Sequence, residues 1–277
     1  MPQTEDSALE ARNLEQIERL NQRGGRTLSV VDLIDAGTVD ANVAGFLLYA
    51  VAHGASFLTA ARPGNAGKST VLANLLGFLP PGTRIVCAEG LTQQRQGSNN
   101  DDRMCALAHE IGSGPYYGYI WGHQVRDFFG LMRKGHAVAS CIHADALEEL
   151  TQILTDPPLM VQPATLAQLD LILFMRLSRS SRGWERRVGS IYETPGSSGS
   201  THQLLFSWDQ AGDRLVRRGP SVILKRIAAS AAKPDQQVNE EVADCSAFIR
   251  RLRSERIVGF RAIRREVVRF LGRAEPG

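Results

Sequence analysis

Hydrophobic and polar positions alternate along the chain in two different patterns. Short apolar runs, "SFLTA", "TRIVCAE", "GYIWG" and "HAVASCIHA", predict buried strands. Between them, "STVLANLLGFLP" and "VRDFFGLMRKG" carry apolar residues at helical spacing, and Pro80-Pro81-Gly82 ends the first of these helices. Strands that alternate with helices in this way favour an α/β fold with a mostly parallel sheet.

The second half of the chain changes to a pattern typical of antiparallel strands. After a helix over "ALEELTQIL", the runs "LDLILFMRLS" and "RRVGSIYET" predict a strand pair around the polar turn "RSSRGWE". "LLFSWDQAGDRLVRR" predicts a hairpin with its turn at Ala211-Gly212. Beyond Lys233, apolar residues recur at the spacing of one or two amphipathic helices. Those residues are Val242, Phe248, Leu252, Ile257, Phe260, Ile263, Val267 and Phe270.

One hydrophobic stretch is about as long as a membrane span: "VAGFLLYAVAHGASFLTAA", residues 43–61. His53, Gly54 and Ser56 interrupt it, so a helix, a turn at His53-Gly54 and a buried strand explain it better than a span. The polar, acidic N-terminus does not have the pattern of a signal peptide. We therefore expect no membrane span.

Composition bounds the class of protein. The chain has 277 residues, of which 43% are hydrophobic, which is enough for one substantial core. The net charge of +3 is too small to imply a nucleic-acid partner, yet nine arginines against two acids lie between Arg250 and Arg273. A solvated helix face and a surface for an anionic partner both remain open there. The four scattered cysteines indicate reduced thiols in a cytoplasmic protein.

The stretch "ARPGNAGKSTVLANLL", which lies between a predicted strand and a predicted helix, contains the candidate functional residues. It matches the phosphate-loop pattern G-x-x-x-x-G-K-[S/T], except that Arg62 stands where the first glycine is usual. Lys68 is expected to reach the β and γ phosphates of a nucleotide, and the Ser69 hydroxyl to ligate Mg²⁺. The candidate nucleotide-binding residues are Pro63, Gly64, Asn65, Ala66, Gly67, Lys68, Ser69 and Thr70.

The order of motifs resembles a family. "SVVDLIDAGTVD", the phosphate loop, "LPPGTRIVCAEG" and "RKGHAVASCIHADALEELTQIL" follow one another as in the motor ATPases of type II and type IV secretion, type IV pilus assembly and archaellum systems. The resemblance covers residues 29–219. It implies a RecA-like P-loop core with a mostly parallel sheet, an antiparallel strand extension and C-terminal amphipathic helices.

The resemblance also carries expectations about cofactors, partners and place in the cell. Family members use ATP and Mg²⁺, typically form a ring of six subunits and act on inner-membrane secretion or pilus platform proteins. We accordingly expect a homo- or hetero-oligomer in the cytoplasm, with peripheral contact with the inner face of the membrane left open. Nucleic acid is not an expected partner.

Two catalytic candidates follow from the family motifs. Glu89 matches the glutamate of the Asp box, which orients or deprotonates the attacking water, although Gly90 replaces the aspartate beside it. His143 matches the His-box histidine, expected to sense the γ phosphate. The alternative for His143 is a histidine whose hydrogen bonds are satisfied at a strand end.

The Walker B segment departs from the family. Where members read "I-I-V-G-E-[I/V]-R-D", this chain reads "YIWGHQVRD", so that His123 or Gln124 replaces the acid. Neither side chain carries the fixed negative charge that the site uses. Together with Arg62 and Gly90, this departure favours weakened or lost hydrolysis.

Three segments and three functions follow as predictions. We divide the chain into a polar leader (1–28), the RecA-like core (29–232) and a basic helical tail (233–277). Because only about 28 residues precede the matching region, a neighbouring subunit or another protein would have to close the site. The chain is expected to bind ATP and to hydrolyse it as a secretion-type ATPase, or to be a non-hydrolysing regulatory or structural subunit. A phosphate-loop protein whose tail binds nucleic acid is the third hypothesis.

Overall fold

The computed structural model describes residues 2–21, 24–89, 103–181, 183–194 and 202–274. Its helices are α1 (Pro2–Glu18), α2 (Val30–Asp35), α3 (Ala41–Ala52), α4 (Lys68–Leu76), α5 (His123–Gly130), α6 (Leu147–Thr155), α7 (Pro163–Leu166), α8 (Val222–Ser230), α9 (Asp235–Ser254) and α10 (Phe260–Ala274). Its strands are β1 (Phe57–Ala60), β2 (Arg84–Cys87), β3 (Met104–Ile111), β4 (Tyr119–Ile120), β5 (Ala137–Ile142), β6 (Leu171–Ser180), β7 (Gly183–Glu193), β8 (Gln203–Asp209) and β9 (Arg214–Arg217).

All of these strands join one sheet, in the order β2-β3-β5-β1-β6-β7-β8-β9, with β4 beside the end of β3. The pairs from β2 to β6 are parallel, and those from β6 to β9 are antiparallel. The expected fold class is therefore confirmed: an α/β core with a mostly parallel sheet, an antiparallel extension and C-terminal helices.

The parallel strands end at one edge of the sheet. β1 lies between β5 and β6, with Ala60 opposite Ile142 of β5 and Phe174 of β6. On the other side of β5, Ile111 of β3 is also opposite Ile142. Because ligands of open α/β sheets bind beyond the carboxyl ends of the strands, this edge is where a site is expected.

β3 was not predicted from the sequence. All of its residues after Met104 are buried, since β2 and β5 flank it and helices cover both faces of the sheet. A strand buried on both faces lacks the alternation of apolar and polar residues that marks a half-exposed strand. Its pairing with β5 shifts register between Ala108 and Ile111, next to the site.

Both terminal segments pack on the core. Ile17 of α1 and Phe248 of α9 belong to the same hydrophobic cluster as the helix that follows the phosphate loop. The Asn13 side chain donates to the carbonyl of Thr83 and accepts from the N–H of Ile85, and so caps the free edge of β2. The three-segment division stays a prediction, but leader and tail share one core with the sheet.

Helix α9 crosses α3 at very close range. An added Cβ at Gly45 would lie 2.2 Å from Ser246 Oγ and 2.5 Å from the backbone nitrogen of Ser246.

The helix, turn and strand expected for residues 43–61 are present: α3 ends at Ala52, Gly54 has φ +87, and β1 follows. Among the described residues, no helix is long and apolar enough to cross a membrane.

Candidate functional site

The phosphate loop joins β1 to α4 in a conformation that needs glycine. Gly67 is the N-cap of α4 with φ +96, in the left-handed region, where a side chain would be strained. Within the described part of the chain, no side chain caps α4. The unpaired N–H groups of its first turn and the positive end of its dipole are thus available to an anion.

Lys68 is the first residue of α4 and is buried. Its Nζ donates to the carbonyl of Ala61 at 2.9 Å, at the other end of the same loop, and lies 3.4 Å from His143 Nδ1. Burial lowers the pKa of Lys68, and the nearby charge of Glu110 opposes that shift. The ammonium group thus lies across the loop, where the oxygens of a phosphate would bind.

Glu110, near the end of β3, places a carboxylate opposite the loop. Its Oε1 lies 2.6 Å from Nε2 of His143, the residue that follows β5. Its Oε2 accepts a hydrogen bond from the Tyr119 hydroxyl at 3.2 Å. The start of α4, the end of β3 and the end of β5 therefore bring Lys68, Glu110 and His143 together.

His143 contacts the phosphate loop through one ring nitrogen and Glu110 through the other. Its Nδ1 lies 2.8 Å from the carbonyl oxygen of Arg62, and its Nε2 lies 2.6 Å from Oε1 of Glu110. The imidazole ring therefore bridges the loop and the carboxylate.

Arg62, which replaces the usual first glycine, is tied to the start of α6. Its backbone N–H donates to Asp145 Oδ1 at 2.7 Å, and its guanidinium forms an ion pair with Glu149. The N–H of Asp145 donates to the second oxygen of Glu149 at 2.9 Å. The substitution therefore anchors the loop to α6, and Arg62 is not among the residues that line the cavity described next.

A cavity of about 810 Å³ opens in front of the loop. Residues 64–70, Glu110 and His143 line one part of it, and residues 184–187 of β7 line another. Segments between Ile17 and Thr38 supply further wall. Its volume lies in the range of small-molecule sites, about 300 to 1,000 Å³.

Strand β7 brings two arginines to the cavity. Arg186 Nε donates to the carbonyl of Asn65 at 2.7 Å, so its charge lies beside the loop. Arg187 is buried, donates to the carbonyl of Ala36 at 3.0 Å and lies over the Trp208 ring. Arg187 also forms ion pairs with Glu185, which is itself in the cavity wall, and with Asp213, so its charge is balanced. Arg186 supplies the positive charge beside the loop that favours an anionic ligand.

Some of the predicted site residues line the cavity, and others do not. Gly64 to Thr70 and His143 line the cavity, whereas Pro63 lies outside its wall. Glu89 does not line it either: its carboxylate accepts from the Gly118 N–H at 2.9 Å. Gly90 lies outside the described residues.

The alignment of the Walker B segment needs correction. His123 and Gln124 are exposed at the start of α5 and do not line the cavity. Neither residue therefore occupies the position expected for the Walker B acid. The strand that ends at the site is β3, and its acid is Glu110. The sequence signal for it is "MCALAHE", an apolar run that ends in a carboxylate.

The donor set fits a nucleotide with Mg²⁺. Among the described residues no group of three or more His, Cys, Asp or Glu side chains could hold a metal by itself. Mg²⁺ in such sites takes one or two protein oxygens and completes its shell with phosphates and water. The Ser69 hydroxyl, in the cavity wall, offers an oxygen of that kind. Fold and site together define an α/β protein with a phosphate-loop site.

Comparison with known proteins finds distant similarity. No protein-family model matches the chain. Uncharacterized protein MJ0900 of Methanocaldococcus jannaschii is 28% identical over 234 residues, which cover 75% of this chain but 42% of that protein. Uncharacterized protein MJ1287 of the same organism is 25% identical over 245 residues, which cover 80% of this chain and 90% of that protein. The chain thus spans less than half the length of the first relative.

A solved structure is similar at a coarser level. It is the crystal structure of the VirB11 ATPase from the Brucella suis type IV secretion system in complex with sulphate. The match has 14% identity and a TM-score of 0.37, and covers 66% of this chain and 55% of that one. Similarities this distant do not establish a family for the chain.

Proposed function

We propose that the chain binds ATP with Mg²⁺ in this cavity. The observation that carries the proposal is the convergence of Lys68, Glu110 and His143 at the carboxyl ends of neighbouring parallel strands. Lys68 and the N–H groups at the start of α4 would bind the β and γ phosphates. Ser69 would hold Mg²⁺, which supplies charge neutralisation on the phosphates when it is bound.

The same geometry supports hydrolysis, with Glu110 rather than Glu89 next to the reacting group. A carboxylate opposite the phosphate loop would orient the attacking water and take its proton as the new oxygen–phosphorus bond forms, while the bond from the γ phosphorus to the β–γ bridging oxygen breaks and ADP leaves. His143 lies between Glu110 and Lys68, where it would contact the γ phosphate. ATP binding would then separate His143 from Glu110 and free the carboxylate for water.

A non-hydrolysing subunit is the second candidate function, and one observation favours it. Oε1 of Glu110 is engaged by His143 at 2.6 Å and Oε2 accepts from Tyr119 at 3.2 Å, so fewer lone pairs of this carboxylate are left for a water molecule. If nucleotide binding left the pair intact, the chain would hold ATP without cleaving it.

The wider role rests on the order of the sequence motifs. That order supports a secretion- or pilus-type ATPase that works in the cytoplasm as part of an oligomer, a ring of six in typical members, on an inner-membrane platform. If a neighbouring subunit closed the site less completely, ATP turnover would fall but ATP would still bind.

Turnover of Mg²⁺-ATP tests the proposal and separates its two forms. We expect Glu110→Gln to lower kcat by about 10² to 10⁴-fold with little change in ATP affinity, because the group acts on the water rather than on the nucleotide. Glu89→Gln is the matched control and should keep near-native turnover. Binding without turnover in the native chain would select the non-hydrolysing subunit, and no binding at all would contradict both forms.

A further inference from the structure

Two exposed apolar side chains line the cavity. Trp184 of β7 is 62% exposed and Leu28, just before α2, is 39% exposed, and both line the cavity. Most of the other exposed large apolar side chains among the described residues, such as Met160 and Val258, lie elsewhere on the surface. Because burial of a tryptophan ring against a ligand is favourable, an exposed tryptophan in the wall of a cavity is a candidate for contact with a ligand.

Trp184 has a fixed relation to the phosphate loop. Residues two apart in a strand share a face, so Trp184 and Arg186 of β7 lie on one side, roughly 7 Å apart along the strand. Arg186 Nε donates to the carbonyl of Asn65 in the loop at 2.7 Å. The indole therefore lies one side-chain position beyond the arginine that contacts the loop.

Leu28 is held to the loop by an independent contact. The Asn74 side chain of α4 donates to the carbonyl of Leu28 at 3.0 Å and to that of Thr70 at 2.9 Å. Asn74 thus joins the segment before α2 to the helix that follows the loop. Two segments far apart in sequence place apolar side chains at fixed positions relative to the phosphate-binding residues.

We propose that Trp184 and Leu28 form the subsite for the purine base of the nucleotide. This inference rests on the proposed function and deepens it. The triphosphate group of a nucleotide cannot stack on an indole ring or pack against a leucine side chain. A purine base offers a flat π face that can do both. The cavity of about 810 Å³ has room for a base and a sugar beyond the phosphates.

Stacking predicts a particular selectivity. Every base has a π face, so a stacking subsite tolerates changes at the base edge, and a larger ring system stacks more strongly. The chain should therefore bind ATP and GTP with similar affinity and bind CTP and UTP more weakly. Inorganic tripolyphosphate, which has no base, should bind more weakly still.

The test compares Mg²⁺-ATP with Mg²⁺-tripolyphosphate by titration calorimetry. The variants are Trp184→Leu, Trp184→Phe as the conservative variant, and Trp121→Leu as a control at an exposed tryptophan outside the cavity. We expect Trp184→Leu to weaken ATP about tenfold or more and to leave tripolyphosphate affinity unchanged. Trp184→Phe should restore most of the loss, and Trp121→Leu should bind both ligands as the native chain does.

The outcomes separate failure of the subsite from failure of the proposed function. Equal affinity of the native chain for ATP and tripolyphosphate would overturn the base subsite while the phosphate site stands. Trp184→Leu that weakens both ligands equally, or neither, would also overturn it. If the native chain binds neither ligand, the proposed function fails and the base subsite fails with it. Retained tripolyphosphate affinity in Trp184→Leu shows at the same time that this variant is folded.

Discussion

Nε2 of His143 lies 2.6 Å from Oε1 of Glu110, at the ends of the neighbouring strands β5 and β3. Nδ1 of the same ring lies 2.8 Å from the carbonyl oxygen of Arg62, so the ring bridges the carboxylate and the phosphate loop. The pair lies directly in front of the phosphate loop.

The contact predicts an energetic coupling that can be measured. His143→Gln, Glu110→Gln and the double variant form a double-mutant cycle in the free energy of unfolding, followed by urea denaturation. We expect a coupling of about 0.5 kcal/mol, at the low end for contacting residues because the His143 side chain is 50% exposed and solvent screens the pair. Strictly additive effects would mean that the contact is not formed in solution.

Arg264 predicts that the C-terminal tail stabilises the whole core. The buried guanidinium donates to the carbonyls of Gly77 and Leu79, which follow α4, and forms an ion pair with Glu10. Removing it with Arg264→Ala leaves these acceptors without a donor, and we expect a loss of about 3 kcal/mol in the free energy of unfolding. Chemical denaturation measures that loss.

The control for this prediction is the next residue of α10. Arg265 is exposed, so Arg265→Ala should change stability by no more than about 0.5 kcal/mol. Equal effects of the two substitutions would contradict the structural role of Arg264. A tail that unfolds separately from the sheet, seen as two denaturation transitions, would contradict it as well.

Gly45 predicts a second destabilising change, at the crossing of α3 and α9. The Cβ of Gly45→Ala would lie 2.5 Å from the backbone nitrogen of Ser246, which cannot move without the helix. We expect a loss of about 1 to 3 kcal/mol, measured as a lower midpoint of thermal or urea unfolding. Gly272→Ala in α10, where an added Cβ meets nothing within 4 Å, should be neutral or slightly stabilising.

His109 predicts a pH dependence of stability. Burial lowers its pKa from 6.5 to about 4, against the opposing charge of Glu89 and with the help of Arg19. Neither ring nitrogen has a hydrogen-bond partner among the described residues. The native state therefore holds the neutral ring, and the unfolded chain binds the proton first as pH falls.

The sign of the effect follows from proton binding. Between about pH 6.5 and pH 4 the unfolded state binds more protons than the folded state. The contribution of His109 to the free energy of unfolding is therefore fully present above pH 6.5 and is lost as pH falls through this window. The loss from His109 amounts to roughly 2 kcal/mol between pH 7 and pH 5. His109→Leu should remove this part of the slope, and an unchanged slope in the variant would show that the ring is charged or hydrated in the folded protein.

The sequence was sufficient to predict the framework of the site. β1, the loop and α4 were predicted because a glycine-rich loop between an apolar strand and an amphipathic helix is a local pattern. His143 was singled out because "RKGHAVASCIHADALEELTQIL" resembles the His box of the secretion ATPase family. The hairpin of β8 and β9 was predicted from its alternation and its turn.

Glu110 was missed because its role depends on contacts distant in sequence. Nothing near "AHEIGSG" indicates that this strand lies beside β5 or that its end faces Lys68. The buried Arg264 and the edge-capping Asn13 are likewise polar residues whose partners lie far away along the chain. Periodicity reports which face of an element is buried, but not which element buries it.

Equilibrium binding of Mg²⁺-ATP to the native chain and to Lys68→Ala tests the central claim most directly. We predict one nucleotide bound per native chain and an affinity at least about a hundredfold lower in Lys68→Ala, since the substitution removes the ammonium group from the phosphate loop. Equal affinity of the two proteins, or no binding by the native chain, would contradict the claim that this cavity is a nucleotide site.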